Sequence, residues 1–355
     1  MKNQGIGTFK VAATYIGTVV GAGFASGQEV LQFFSYFGAW GAAGLALVTF
    51  LFILFGVIIM DYGKELRARS HLEIIQYTGG RFMSVIIDLI ISFFLFGALT
   101  TMIAGTGALF AQQFNLPGLL GDSLMAVFTV LTVLTGIKGV INSISFVVPF
   151  LLAAVVGTCI YSMASTPPDF NATLYPATSN GIISNWFMAA ILYVSYNTLV
   201  SVAVLGPLGV HARSGKTIKR GALLGGMGLG AAAFMIYFAL SRHLAVVSKI
   251  EVPMIYLAGS VSGLLQIVYA IVLAAEIYTT AVGSLYGFAA RFTDVKKSPA
   301  YGKAVIIVTT AAAFWASQLG FSNLVKYLYP IAGYAGIALL ASLLYCKIKS
   351  KSSRA

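Results

Sequence analysis

Residues 17–29 read Gly-Thr-Val-Val-Gly-Ala-Gly-Phe-Ala-Ser-Gly-Gln-Glu and lie inside the first long apolar stretch of the chain. Four glycines, a serine, a glutamine and a glutamate fall where the middle of a membrane span should be. Hydrocarbon offers no water to an unpaired peptide group. A spanning segment must therefore be helical, or must hide its free amides and carbonyls against protein or a water-filled cavity. A chain that interrupts its own helix at that depth must surround the gap with other helices, and the gap is the first place to look for function.

Composition supports the membrane reading. Of 355 residues, 59% are hydrophobic and 9% charged, against about 25% charged in soluble domains. A crossing needs about 20 apolar residues. Ten segments supply them, near 8–37, 40–62, 83–112, 119–137, 140–164, 181–209, 221–245, 259–289, 302–319 and 322–346. The expected fold is an all-α polytopic membrane protein with ten transmembrane helices, forming a single domain over 1–355. With ten spans, 19 of the 22 Lys and Arg residues fall on one side, from Lys2 and Lys10 through Lys64–Arg81, Lys138, Arg213–Arg220 and Arg291–Lys303 to Lys347–Arg354. Arg242, Lys249 and Lys326 remain on the other. The positive-inside rule then predicts a multi-pass protein of the plasma (cell inner) membrane with both termini cytoplasmic. The net charge of +12 reports topology; a nucleic-acid surface would gather that charge on one face. Cys159 and Cys346 both fall in apolar spans and read as packed thiols.

Loops add three expectations. Residues 64–81 suit a short amphipathic helix on the basic side, and 166–180 form a loop of turn formers. Residues 248–258, with Pro253 amid apolar neighbours, suit a re-entrant cap.

The second half carries its own polar centre. The sixth segment runs Trp186 to Val200 with Ser195, Asn197 and Thr198 near its middle, flanked by Tyr193 and Tyr196. It opens the second set of five spans as the Gly17–Glu29 segment opens the first. Interruptions at corresponding positions of two halves point to a repeat architecture with a midplane site, with repeats at about 8–165 and 181–347.

On these residues the chain resembles the LeuT fold of the amino acid–polyamine–organocation superfamily, and within it the YkvI-like family of bacterial membrane proteins. The resemblance implies broken helices 1 and 6. Gly21-Ala22-Gly23, followed by Phe24, resembles the unwound G-x-G of helix 1, whose freed amides and helix N-terminus face an anionic substrate group. Opposite it, Tyr193, Ser195, Tyr196 and Asn197 would complete the substrate site, carbonyls near Tyr193–Ser195 taking an amine. The implied sodium site joins the carbonyls of Gly17 and Val20 to Glu276, Thr279 and Thr280 of helix 8, a hard-oxygen set suited to Na+. Phe24 stands where the amino acid branch often carries an asparagine, so the resemblance does not extend to a second sodium. Residues 140–164 hold no lysine or arginine, which argues against a lysine in place of the ion.

Glu29, Asp88 and Glu276 are the acids within spans, while Asp61 and Asp122 lie near helix ends. Carboxyls at membrane depth are costly and point to function, so Glu29 and Glu276 are also proton-relay candidates. Trp186 and Phe96 are further aromatic candidates for the cavity wall. His71, His211 and His243 sit in loops or at helix ends on both sides, with no nucleophile partner and no metal-ligand cluster. No Walker loop is present. The chain therefore reads as no enzyme and needs no organic cofactor. The expected function is a secondary transporter working by alternating access, most simply sodium-coupled symport of an amino acid or similar small zwitterion. One alternative is a proton-coupled transporter using Glu29 or Glu276. The other is a non-transporting sensor, like the membrane subunits of spore germinant receptors. The expected partners are a small-molecule substrate and the lipid bilayer; oligomeric state is open.

Overall fold

A computed structural model describes residues 5–135, 138–165, 182–292 and 299–352. The loop expected at 166–180 lies outside them. The described residues are almost wholly helical. The first apolar segment is divided into α1 (Thr8–Val19), α2 (Ala22–Ala25) and α3 (Gln28–Phe33). Then come α4 (Ala39–Leu66), α5 (His71–Phe114), α6 (Gly118–Thr135) and α7 (Lys138–Ser165). The second half holds α8 (Trp186–His211), α9 (Gly215–Ser241), α10 (Leu244–Val247), α11 (Pro253–Val261), α12 (Gly263–Phe292), α13 (Pro299–Ser317) and α14 (Phe321–Ser352). Seven helices, α4, α5, α8, α9, α12, α13 and α14, are long and apolar enough to cross a membrane. The divided α1–α3 segment and the shorter apolar stretches of α6 and α7 fall where three further spans are expected.

Local chemistry sets the ends. Ser70 opens α5 with a capping box: its hydroxyl accepts from Leu72 N, and Glu73 Oε2 accepts from Ser70 N at 3.0 Å. This satisfies donors that a bare helix start would leave open. Gly80 at φ 79° kinks α5, separating an interfacial first part from the span. The amphipathic helix expected at 64–81 is thus the tail of α4, a turn, and the head of α5. The expected cap at 248–258 is observed as α10, a turn and α11, with Pro253 in the first turn of α11, where its missing N–H costs nothing.

Glycines bring backbones together where α4 meets α8. A Cβ on Gly63 would strike the carbonyl of Gly206, and one on Gly209 would strike the carbonyl of Met60. Small residues are the usual means of close helix approach in lipid.

Helix 6 corrects the sequence expectation. It is α8, continuous from Trp186 to His211 and even through Pro207. Its polar residues are satisfied without unwinding. Ser195 Oγ donates to Gly333 O of α14 at 2.6 Å, and Asn197 Nδ2 donates back to Tyr193 O at 2.9 Å. Asp122, expected at an interface, is 6% exposed and packs against α5.

Candidate functional site

The break in the first span is real and double. Val20 (φ −72°, ψ 112°) and Gly21 (φ −126°, ψ −175°) are extended. The last ladder bond of α1 runs from Val20 N to Ile16 O. The carbonyls of Gly17 to Val20 have lost their helical donors, as the last turn of any helix does. A second discontinuity falls at Gly27, whose φ of 81° is left-handed and suits glycine. A side chain on Gly21 would meet nothing within 4 Å, so there is room beside the extended residues.

Glu29 turns back toward this break. It is 5% exposed. Its Oε2 accepts hydrogen bonds from Tyr196 at 2.5 Å and Tyr193 at 3.3 Å. Its Oε1 lies against Gly23, where any Cβ would collide with it. Gly23 is therefore glycine because Glu29 occupies the place a side chain would take. Rings enclose the pair of tyrosines: Phe34 and Phe33 stand 5.1 Å and 5.4 Å from Tyr193, and Tyr329 stands 5.1 Å from Tyr196. Phe94 stacks on Tyr196 at 5.8 Å.

Of the residues expected at the substrate site, Gly23, Tyr193 and Tyr196 come together, through Glu29. Ser195 and Asn197 do not: one hydroxyl serves α14 and one amide serves its own helix. The expectation of free carbonyls near Tyr193–Ser195 falls with the unbroken helix; the buried acceptor beside these tyrosines is Glu29. Phe33, Phe34, Phe94 and Tyr329 were missed. The Phe-Phe pair four residues after Glu29 was the available signal, because i and i+4 share a helix face.

The helix 8 residues lie on α12. Tyr269 Oη donates to Ala25 O at 2.5 Å, which registers α12 against α2. Glu276 is two turns further along α12, about 10 Å. Tyr269, Glu276 and Thr280 recur at intervals of seven and four and so share one face. Glu276 (3% exposed) and Thr279 are buried and Thr280 is half-buried. Thr279 Oγ1 donates to Glu276 O at 3.0 Å, within its own helix. The Glu276 carboxylate oxygen Oε2 is buried with no hydrogen-bond partner.

Contacts close one side of the break. Met254 N donates to Ser26 O at 3.0 Å, Gln28 Nε2 donates to Ser322 Oγ, and Gln112 holds both backbone groups of Val252 at 2.9 and 3.0 Å. The α10–α11 cap is thus strapped across α2 and α3. On the other side Asp88 accepts from Arg291 and lies 3.2 Å from His71 Nε2. This gives Asp88 a structural ion network.

A helical membrane bundle with a divided first span, strapped by a helical cap and facing helices 6 and 8, is the LeuT fold. Solved structures agree. The chain superposes on a Na+-coupled sialic acid symporter (TM-score 0.63, 14% identity, covering 94% of this chain and 78% of that one). It also matches MhsT in complex with L-phenylalanine (0.61, 17%, 93% and 87%) and inward-facing Mhp1 (0.58, 16%, 94% and 76%). No protein-family model matches the sequence. Two curated relatives from Bacillus subtilis (strain 168) do: the uncharacterized membrane protein YkvI, 31% identical over 344 residues and 95% of each chain, and the uncharacterized protein YyaD, 30% identical over 336 residues, 95% of this chain and 96% of that one. The chain belongs to the YkvI family of multi-pass membrane proteins.

Proposed function

We propose that this protein is a secondary transporter that moves a small zwitterion, such as an amino acid, by alternating access with sodium as the coupling ion. The observation that carries the reading is the extended Val20–Gly21 pair with open space beside Gly21, on the segment that Tyr269 of α12 meets at Ala25. A substrate carboxylate would use the amides at the start of α2. Its amine would pair with Glu29, whose present partners are two hydroxyls and no cation. Sodium would join the Gly17 and Val20 carbonyls to α12, so ion and substrate would stabilise one conformer and each would strengthen the other's binding. For the ion to enter, the Thr279 hydroxyl must release Glu276 O. One solved neighbour is a Na+-coupled symporter and another is bound to L-phenylalanine, which supports the choice.

The test is uptake into proteoliposomes under an inward sodium gradient, with a thermal-shift screen of amino acids to choose the substrate. Thr280→Ala is expected to raise the sodium concentration needed for half-maximal uptake at least several-fold while the melting temperature stays near wild type. Uptake by the wild type that ignores sodium overturns the coupling assignment. One observation favours a second reading, proton coupling: Glu276 Oε2 has no partner and can carry a proton. In that case uptake follows a pH gradient in sodium-free buffer and is lost in Glu276→Gln.

A further inference from the structure

A second cavity lies away from the break, on the side poor in Lys and Arg. Its volume is about 480 Å³. It opens between the end of α5, the start of α6, the residues 250–251 that precede α11, and the end of α13. Two carboxylates line it, Asp122 and Glu251, with the side-chain oxygens of Gln112, Gln318 and Ser317 beside them. No lysine, arginine or histidine is among its lining residues.

The Asp122 carboxylate is not fully satisfied. Asp122 Oδ2 accepts from Gln318 Nε2 at 3.0 Å. Its other oxygen, Oδ1, is buried against Gly107 and has no hydrogen-bond partner. Glu251 Oε2 accepts from Phe321 N, the first residue of α14, at 3.0 Å. A buried carboxylate oxygen without a donor is costly, and two acids facing one cavity repel unless one is protonated or a cation lies between them.

We propose that this cavity is a binding site for a hard divalent cation, held by Asp122 and Glu251 and kept partly hydrated. Charge selects the class: two carboxylates with no basic neighbour are neutralised by one divalent ion. Chemistry narrows it, since the lining offers only oxygen donors plus amides, with no histidine or cysteine for a softer metal. Two carboxylates with neutral oxygens and water match how Ca2+ and Mg2+ are commonly held. The location gives the ion a task. Asp122 belongs to α6. Glu251 belongs to the cap, one residue before the Val252 that Gln112 clamps and three before the Met254 that bonds to Ser26. A bridging cation ties the cap to α6 and so holds the strap closed over the first span. The inference does not depend on the identity of any transported substrate.

The test uses the full-length protein purified in detergent with chelator removed. Melting temperature is measured against CaCl2 and MgCl2 at constant ionic strength, with NaCl as the charge control and ethylammonium chloride as the organic-cation control. Expected is a saturable rise with at least one divalent ion, absent from the Asp122→Asn/Glu251→Gln double variant. Calcium or magnesium should also slow hydrogen exchange across residues 250–262 in the wild type. If the double variant does not fold, Glu251→Gln alone, at a half-buried loop position, carries the comparison. No saturable rise with either metal, or a rise of equal size in the variants, overturns the site. A response to ethylammonium alone overturns the metal assignment.

Discussion

Replacing Gly23 by alanine tests whether Glu29 is a built-in part of the helix 1 break. A Cβ at Gly23 falls 3.1 Å from Glu29 Cδ and 3.2 Å from Cγ, and closer still to Oε1. The carboxylate must swing away and give up its tyrosines. The Tyr196 bond, at 2.5 Å, is short and worth about 1.5–3 kcal/mol if the carboxylate is charged. The Tyr193 bond, at 3.3 Å, is longer than the usual O–H···O range and adds little. Against this, alanine for glycine inside a helix stabilises by roughly 0.5–1 kcal/mol. The net expectation is a loss of about 1–2 kcal/mol for Gly23→Ala. In a Glu29→Ala background there is no carboxylate to displace, so the same substitution becomes neutral or mildly stabilising. The coupling between the two sites is therefore about 2 kcal/mol, within the range for residues in contact. The assay is unfolding of the four proteins of the cycle in mixed micelles, read by the denaturant midpoint. Additive effects, with coupling near zero, refute the placement of Glu29 against Gly23.

Two other changes follow from the same geometry. Tyr196→Phe is expected to destabilise more than Tyr193→Phe, by about 1 kcal/mol, and equal losses in the same assay contradict the bond lengths. Gly209→Ala puts a methyl into the Met60 carbonyl where α4 and α8 touch, and overpacking of this kind costs about 1–3 kcal/mol. The exposed helix-start position Gly215, where a Cβ meets nothing within 4 Å, is the control, and its alanine variant should melt within a degree or two of wild type.

Much of the fold was legible in the chain. Apolar run lengths are set by the bilayer itself, which fixes span length, so an all-helical multi-pass architecture could be read without coordinates. The break in the first span was legible because packing glycines alone do not account for Gln28 and Glu29 directly after them at membrane depth. Its position was read less sharply. The chain turns at Val20–Gly21 and again at Gly27, because glycine permits a break anywhere in the run and only neighbours choose the residue.

The sixth helix shows where such reading stops. Serine and asparagine at mid-span are equally compatible with an unwound helix and with an intact one whose polar groups find partners. Gly333 O of α14, 138 residues away, decided for the intact helix. The same holds for the acids. Glu29 was visible as a costly charge in a span, but its meeting with Tyr193 and Tyr196, and the reason Gly23 must lack a side chain, depend on α8 crossing the break. Asp122 looked interfacial because it lies four residues into α6, and only the close approach of α5 through Gly107 buries it. Solvent acts on each segment separately and leaves its mark in local composition. Pairings between segments depend on which helices touch, and composition carries no record of that.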